Sequence, residues 1–135
     1  MGIRSEFIIY EGPKFTLEWF VNENGKSQAR EYYYKLTQNR RIQFLKLVKR
    51  IGDYGKIVNK EKFRNEGNKI YAFKPKPDRF LCFFYIGKKI IVTNAFTKKS
   101  EKVPRNEKEK AIKLMGNYKF RVKRGEYYGQ DENNI

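Results

Sequence analysis

A chain of 135 residues has room for one hydrophobic core and not for two. It carries 31 Lys and Arg against 15 Asp and Glu, a formal charge of +16, and no histidine. That balance points to a polyanionic or acidic partner, nucleic acid first, and the missing imidazole excludes Ser-His triads and the usual zinc sites, leaving catalysis to Lys, Arg, Tyr or a carboxylate.

Apolar residues at 39% and aromatics at 16% support a packed domain in place of a disordered basic tail. No stretch approaches the roughly 18 apolar residues of a membrane span, and Met1 to Ser5 lack the layout of a secretion signal. With a lone cysteine, Cys82, inside an apolar run, the expectation is a cytoplasmic protein with a buried thiol.

In chain order, Phe15 to Val21 reads as a first strand, closed by the turn residues Asn22 to Gly25, with Phe7 to Tyr10 pairing with it or preceding it. Ser27 caps a short helix running to Leu36. Thr37 caps a longer one in which Ile42, Leu45, Val48 and Ile51 keep helical spacing before Gly52 and Gly55. Residues 56–69 are polar and read as a connection with at most one helical turn anchored by Phe63. Three strands follow, Ile70 to Lys74, Arg79 to Ile86 and Lys89 to Thr97, the last two joined by a two-residue loop at Gly87 and Lys88. Pro104 and Asn106 open a final helix with Ala111, Met115, Tyr118 and Val122 in one stripe, ended by Gly125. The expected architecture is one α+β domain: an antiparallel twisted sheet of about four strands with helices packed on one face, a core over residues 15–123 and a flexible tail over 126–135.

The chemistry gathers late in the chain. From Lys98 to Arg124 eleven basic residues face three acidic ones, a local charge of +8. Lys69, Lys74, Lys76 and Arg79 lie at one strand boundary and Lys98, Lys99, Lys102 and Arg105 after another; in an antiparallel meander those two boundaries fall at the same end of the sheet. Cations beside aromatics such as Tyr71 and Tyr85 suit single-stranded RNA, which needs phosphate neutralisation and faces for unstacked bases. The scattered carboxylates give no metal-ligand spacing, so neither a metal nor another cofactor is expected.

Ile70-Tyr71-Ala72-Phe73-Lys74, Arg79 opening an aromatic strand, Asn94-Ala95-Phe96-Thr97-Lys98-Lys99, and Lys102-Val103-Pro104 with Glu107 and Ala111 resemble the phage-related HigB branch of the RelE/ParE toxins, over roughly residues 15–123. The resemblance implies a RelE-like fold and the toxin of a type II toxin-antitoxin pair. Such a toxin is a ribosome-dependent endonuclease that cuts translated mRNA, stops growth and is silenced by a cognate antitoxin, often a helix-turn-helix protein. By matched position it assigns catalysis to Arg79, Lys74, Lys98 and Lys99. Lys69, Tyr71, Lys76, Tyr85, Lys102 and Arg105 are expected as RNA contacts from the clustering of cations and aromatics, not from matched position. The sequence departs from the pattern at Ala72, where relatives often carry Glu, and places Arg105 near the position of a catalytic Tyr in some RelE members. Both departures leave the general base open. Two other readings stand beside this one: a ParE-like toxin that contacts DNA gyrase and cuts nothing, and a non-catalytic nucleic-acid-binding module.

Overall fold

The computed structural model of the chain describes residues 5–128. After a 3-10 turn at Ser5–Phe7 come β1 (Ile8–Glu11), β2 (Thr16–Trp19), α1 (Gln28–Tyr34), α2 (Gln38–Tyr54), β3 (Phe63–Gly67), β4 (Ile70–Phe73), β5 (Asp78–Tyr85), β6 (Lys89–Thr97) and α3 (Arg105–Lys123). The class is mixed α+β, as expected, but the sheet has six strands, not four, in the order β1-β2-β6-β5-β4-β3. It is not wholly antiparallel either. The two helices after β2 carry the chain to β3 at the far edge, and the meander β3-β4-β5-β6 then returns so that β6 lies beside β2 and parallel to it, with Leu17 opposite Ile90 and Trp19 opposite Val92.

Helices cover both faces of this sheet. On one, α1 and α2 bring Tyr33, Phe44, Leu47, Val48 and Ile51 against Trp19, Phe73, Phe80, Cys82 and Val92. On the other, Ala111 and Tyr118 of α3 pack on Phe20, Ile70, Ala72, Leu81, Phe83 and Ile91. The expectation of helices on one face is therefore corrected. Strands β5 and β6 are apolar on both sides, and a strand buried on both faces reads as a continuous apolar run.

The caps behave as their chemistry dictates. Ser27 Oγ accepts from Arg30 N and Thr37 Oγ1 from Arg40 N, each at 3.3 Å. Gly52 lies inside α2 because the turn between β1 and β2 rests on it: its carbonyl accepts from Lys14 N at 2.8 Å and Phe15 N at 3.1 Å, and a Cβ on Gly12 would lie 2.3 Å from that oxygen. Gly87 and Lys88 both take positive φ, 84° and 61°, as a tight hairpin requires. Because Tyr85 pairs with Lys89, the loop includes Ile86 and is one residue longer than expected.

Two further expectations are corrected. The polar stretch 56–69 holds the edge strand β3, paired with β4 from Phe63 opposite Phe73 to Gly67 opposite Ile70. The start of the supposed tail is packed: Tyr127 Oη accepts from Val21 N at 3.0 Å, and Tyr128 Oη donates to Glu18 at 2.8 Å and bonds Tyr118 Oη at 2.5 Å. Its remainder, 129–135, lies outside the described residues.

Candidate anion-binding site

Strand alternation sorts the chemistry at one end of the sheet. Ala72, Leu81 and Phe83 belong to the α3 layer, so Lys74, two residues beyond Ala72, and Arg79, two before Leu81, lie on the α3 face. Asp78, next to Arg79, falls on the α1-α2 face. Its carboxylate accepts from Arg40 Nε at 3.0 Å, from Arg40 Nη2, and from the Tyr32 hydroxyl at 2.6 Å. Burial and this carboxylate push the Tyr32 phenol up to about 12, and the hydrogen bond to Asp78 raises the Arg40 guanidinium.

Lys98 reaches the same face as Arg79 through a β-bulge. Leu81 pairs with Asn94 but Cys82 pairs with Val92, leaving Thr93 as the extra residue of β6. Thr93 Oγ1 bridges Leu81 O at 3.2 Å and Asn94 Oδ1 at 2.6 Å. Ile90 and Val92 belong to the α1-α2 core before the bulge and Ala95 after it. The bulge thus turns Asn94, Phe96 and Lys98 onto the α3 side, as such bulges re-aim side chains. Asn94 Nδ2 donates to Glu107 O at 3.2 Å and Oε1 at 2.9 Å, holding the first turn of α3 over this part of β6. Arg79 pairs across the sheet with Phe96.

The environment of these cations is unusual. Arg79 is 4% exposed and Lys74 8%, and among the described residues neither forms an ion pair. Arg79 Nη1 donates to Asp78 O at 3.0 Å, and Lys74 Nζ makes a long 3.4 Å contact with Lys60 O. Burial lowers the proton affinity of both, and the Arg79 charge lowers that of Lys74 further. Buried charges in proteins are generally paired; two buried cations with no carboxylate in ion-pair contact among the described residues make a candidate site for an anion. Glu66 and Glu101 exert an opposing field on both. Glu101 is engaged by Lys98, whose Nζ donates to it at 2.6 Å, and that bond holds its carboxyl below the usual carboxylate range.

The arrangement can bind a phosphate by charge and guanidinium donors, and Lys74, its ammonium disfavoured, can give up a proton more readily than an exposed lysine. Of the ten expected residues, Lys74, Arg79 and Lys98 come together. Lys99, Lys102 and Arg105 are exposed on the segment leading from this end into α3, Arg105 pairing with Glu109 at 3.3 Å. Lys69, expected at the same end as Lys74 and Arg79, sits instead in the β3-β4 turn at the opposite end of β4, because β3 and β4 form a hairpin there. Tyr71 stacks on Phe63 at 5.5 Å on the α1-α2 face, and Tyr85 packs edge-on against Tyr118 at 4.9 Å, so neither ring is presented beside the cations. Lys76 is exposed between Pro75 and Pro77. Sequence reasoning missed Glu66 and Glu101 as neighbours and Phe96 as the apolar floor. Glu66 is the extra residue of a second irregularity, between Asn65 and Gly67, in a strand whose composition gave no strand signal.

No curated protein matches the chain. The profile of the family described as Phage derived protein Gp49-like matches residues 31–116, from within α1 to Gly116 of α3, a span that includes Lys74, Arg79 and Lys98. Covering well over half of the chain, that match places the protein in the phage-derived Gp49-like family.

Proposed function

We propose that this protein is the toxin of a toxin-antitoxin pair, of RelE/HigB type, and that it acts in the cytoplasm as a ribosome-dependent endoribonuclease on translated mRNA. The observation that carries the reading is the buried pair Lys74 and Arg79, neither in an ion pair among the described residues, with Lys98 on the same face, inside the span matched by the Gp49-like family.

RNA supplies its own nucleophile in the 2′-hydroxyl, so the protein has to hold that oxygen in line with the scissile phosphate, take its proton, stabilise the extra charge of the pentacoordinate transition state and assist the departing 5′-oxygen. Arg79 is suited to the phosphate, because a planar guanidinium offers paired donors and Asp78 O fixes one end of it. Lys74 is suited to the proton, because its ammonium is disfavoured by burial and by Arg79. Lys98 can leave Glu101 for the departing oxygen, and Phe96 offers an apolar floor for a base. Lys99, Lys102 and Arg105 extend the cationic track along the RNA backbone. The cognate partner is an antitoxin that neutralises the toxin in a tight complex.

The test is mapping of mRNA 5′ ends after brief induction of the wild type and of Arg79→Ala in cells lacking the partner gene. New ends within translated codons, absent in the variant, support the endonuclease reading. Growth arrest without new ends moves the assignment to a gyrase-directed toxin, and neither effect leaves a binding module.

A further inference from the structure

In the stretch 98–105, Lys98, Lys99, Lys102 and Arg105 surround a single carboxylate, Glu101. The segment that carries it is held at both ends. Lys98 N donates to Pro77 O at 2.7 Å, tying the start of the segment to the approach of the strand that bears Arg79, and Asn94 holds the first turn of α3 through Glu107. Between these anchors Ser100 Oγ donates to Lys102 O at 3.2 Å, closing the turn on which Glu101 stands.

From that turn Glu101 Oε2 accepts from Lys98 Nζ at 2.6 Å, and its charge also reaches Arg79 and Lys74. Of the carboxylates acting on Arg79 it is the strongest, ahead of Glu66 and Asp78. Glu66 stands on the β3-β4 hairpin, and Asp78 is engaged by Arg40 and Tyr32. Glu101 is placed differently. Its side chain is 83% exposed against 25% for Lys98, so opening the pair releases the carboxylate to water and leaves the ammonium on the face of Arg79. A carboxylate tethered this close to its partner acts at an effective concentration in the millimolar range. A small anion that touches Lys98 alone gains little over it. A phosphate within a chain also takes the paired donors of Arg79 and draws on Lys99, Lys102 and Arg105, and can replace it.

We infer that Glu101 is a specificity-determining residue that stands in for the phosphate of the ligand: its carboxylate occupies Lys98 in the free protein, and an anion has to engage Lys98 and Arg79 together to displace it. That the displacing anion is RNA rests on the proposed function; the exchange itself does not.

The probe is a fluorescein-labelled 2′-O-methyl RNA of about 12 nucleotides, within the usual span of a single-strand site, titrated with the full chain and followed by anisotropy. Glu101→Gln, at an exposed position and of the same shape, is expected to tighten binding on the order of threefold, the worth of an exposed ion pair. Glu126→Gln changes the net charge equally at the far end of α3 and is expected to leave binding unchanged. In Lys98→Met, first shown by circular dichroism to be folded, RNA is expected to bind more weakly and Glu101→Gln to add less than it does in the wild type. Binding unchanged by Glu101→Gln overturns the inference. So does an equal gain from Glu126→Gln or an undiminished gain in Lys98→Met, either of which reduces Glu101 to general charge. RNA binding by none of these proteins removes the proposed function instead. Inorganic pyrophosphate, read as a rise in Tm, then decides the inference, upheld by a larger rise in Glu101→Gln than in the wild type and overturned by an equal one.

Discussion

Asp78 and Arg79 are neighbours in β5 with opposite electrostatic fates. On the α1-α2 face Asp78 is 1% exposed and fully engaged by Arg40 and Tyr32, a closed ion pair that ties both helices to the sheet end. On the α3 face Arg79 is almost as deeply buried and has Lys74, a like charge, for company. The period-2 geometry of a strand sets the two environments side by side: the closed pair ties the helices to the end of the sheet, while the open pair has no carboxylate in ion-pair contact among the described residues and, under the proposed function, takes the phosphate of the RNA.

The largest expected effect lies on the open side. Arg79→Ala is expected to reduce RNA cleavage by about 10²–10³-fold, the usual cost of removing one preorganised donor from a developing charge, with the folded state retained by circular dichroism; cleavage at the wild-type rate would remove Arg79 from the site. On the closed side, Arg40→Ala leaves the buried Asp78 carboxylate with the Tyr32 hydroxyl and is expected to destabilise the fold by about 2 kcal/mol, discounted for the part-exposed arginine. Chemical denaturation checks this, and a neutral result would show that the pair does not anchor the helices.

A smaller effect of opposite sign sharpens the contrast. Lys74→Met replaces a buried, unpaired ammonium by an apolar chain of similar size and is expected to raise stability by about 1 kcal/mol, roughly 4 °C in Tm, while weakening cleavage. The pH dependence follows from the direction of the shift. The folded-state pKa of Lys74 lies below the ordinary 10.5, so its penalty is complete below that lowered pKa, where both states are charged. Between the lowered pKa and 10.5 the unfolded state binds more protons and stability rises with pH. The stability advantage of Lys74→Met, followed by thermal melts, should therefore shrink through that window; an advantage independent of pH would assign it to packing. Smallest is the difference within the lysine pair. Lys98→Ala is expected to slow cleavage several-fold more than Lys99→Ala, because the bulge at Thr93 brings only Lys98 to the face of Arg79; equal losses would mean that both act as backbone charge alone.

The same alternation decides how much was legible in the sequence. β5 and β6 could be read because strands buried on both faces are continuous apolar runs, and Ser27, Thr37, Gly55 and Gly125 marked the helix ends by their own chemistry. β3 could not: as an edge strand it buries Phe63 and exposes Arg64 and Asn65, a pattern that protects an edge and looks like a loop. That Lys74, Arg79 and Lys98 share one end of the sheet followed from the meander, which also put Lys69 there because the β3-β4 hairpin was not foreseen; that they share one face did not follow, because it depends on the bulge, and Thr93-Asn94 carries no mark of it in a single sequence. The ion-pair partner of Asp78, Arg40, and its hydrogen-bond donor Tyr32 lie 38 and 46 residues away on other elements. A long-range pairing of that kind is settled only by the fold. Placing α3 alone on its face likewise required the parallel pairing of β2 with β6, which leaves no local trace.

The central claim is that Lys74 and Arg79 form a buried charge deficit awaiting a phosphate. It is tested most directly by thermal melts of the wild type and of Lys74→Met with Arg79→Met, each titrated with a short 2′-O-methyl RNA that cannot be cleaved. The wild type is expected to be less stable alone and to rise in Tm with added RNA, and the double variant to be more stable alone and to respond weakly. A double variant that is less stable alone and responds to RNA as the wild type does would contradict it.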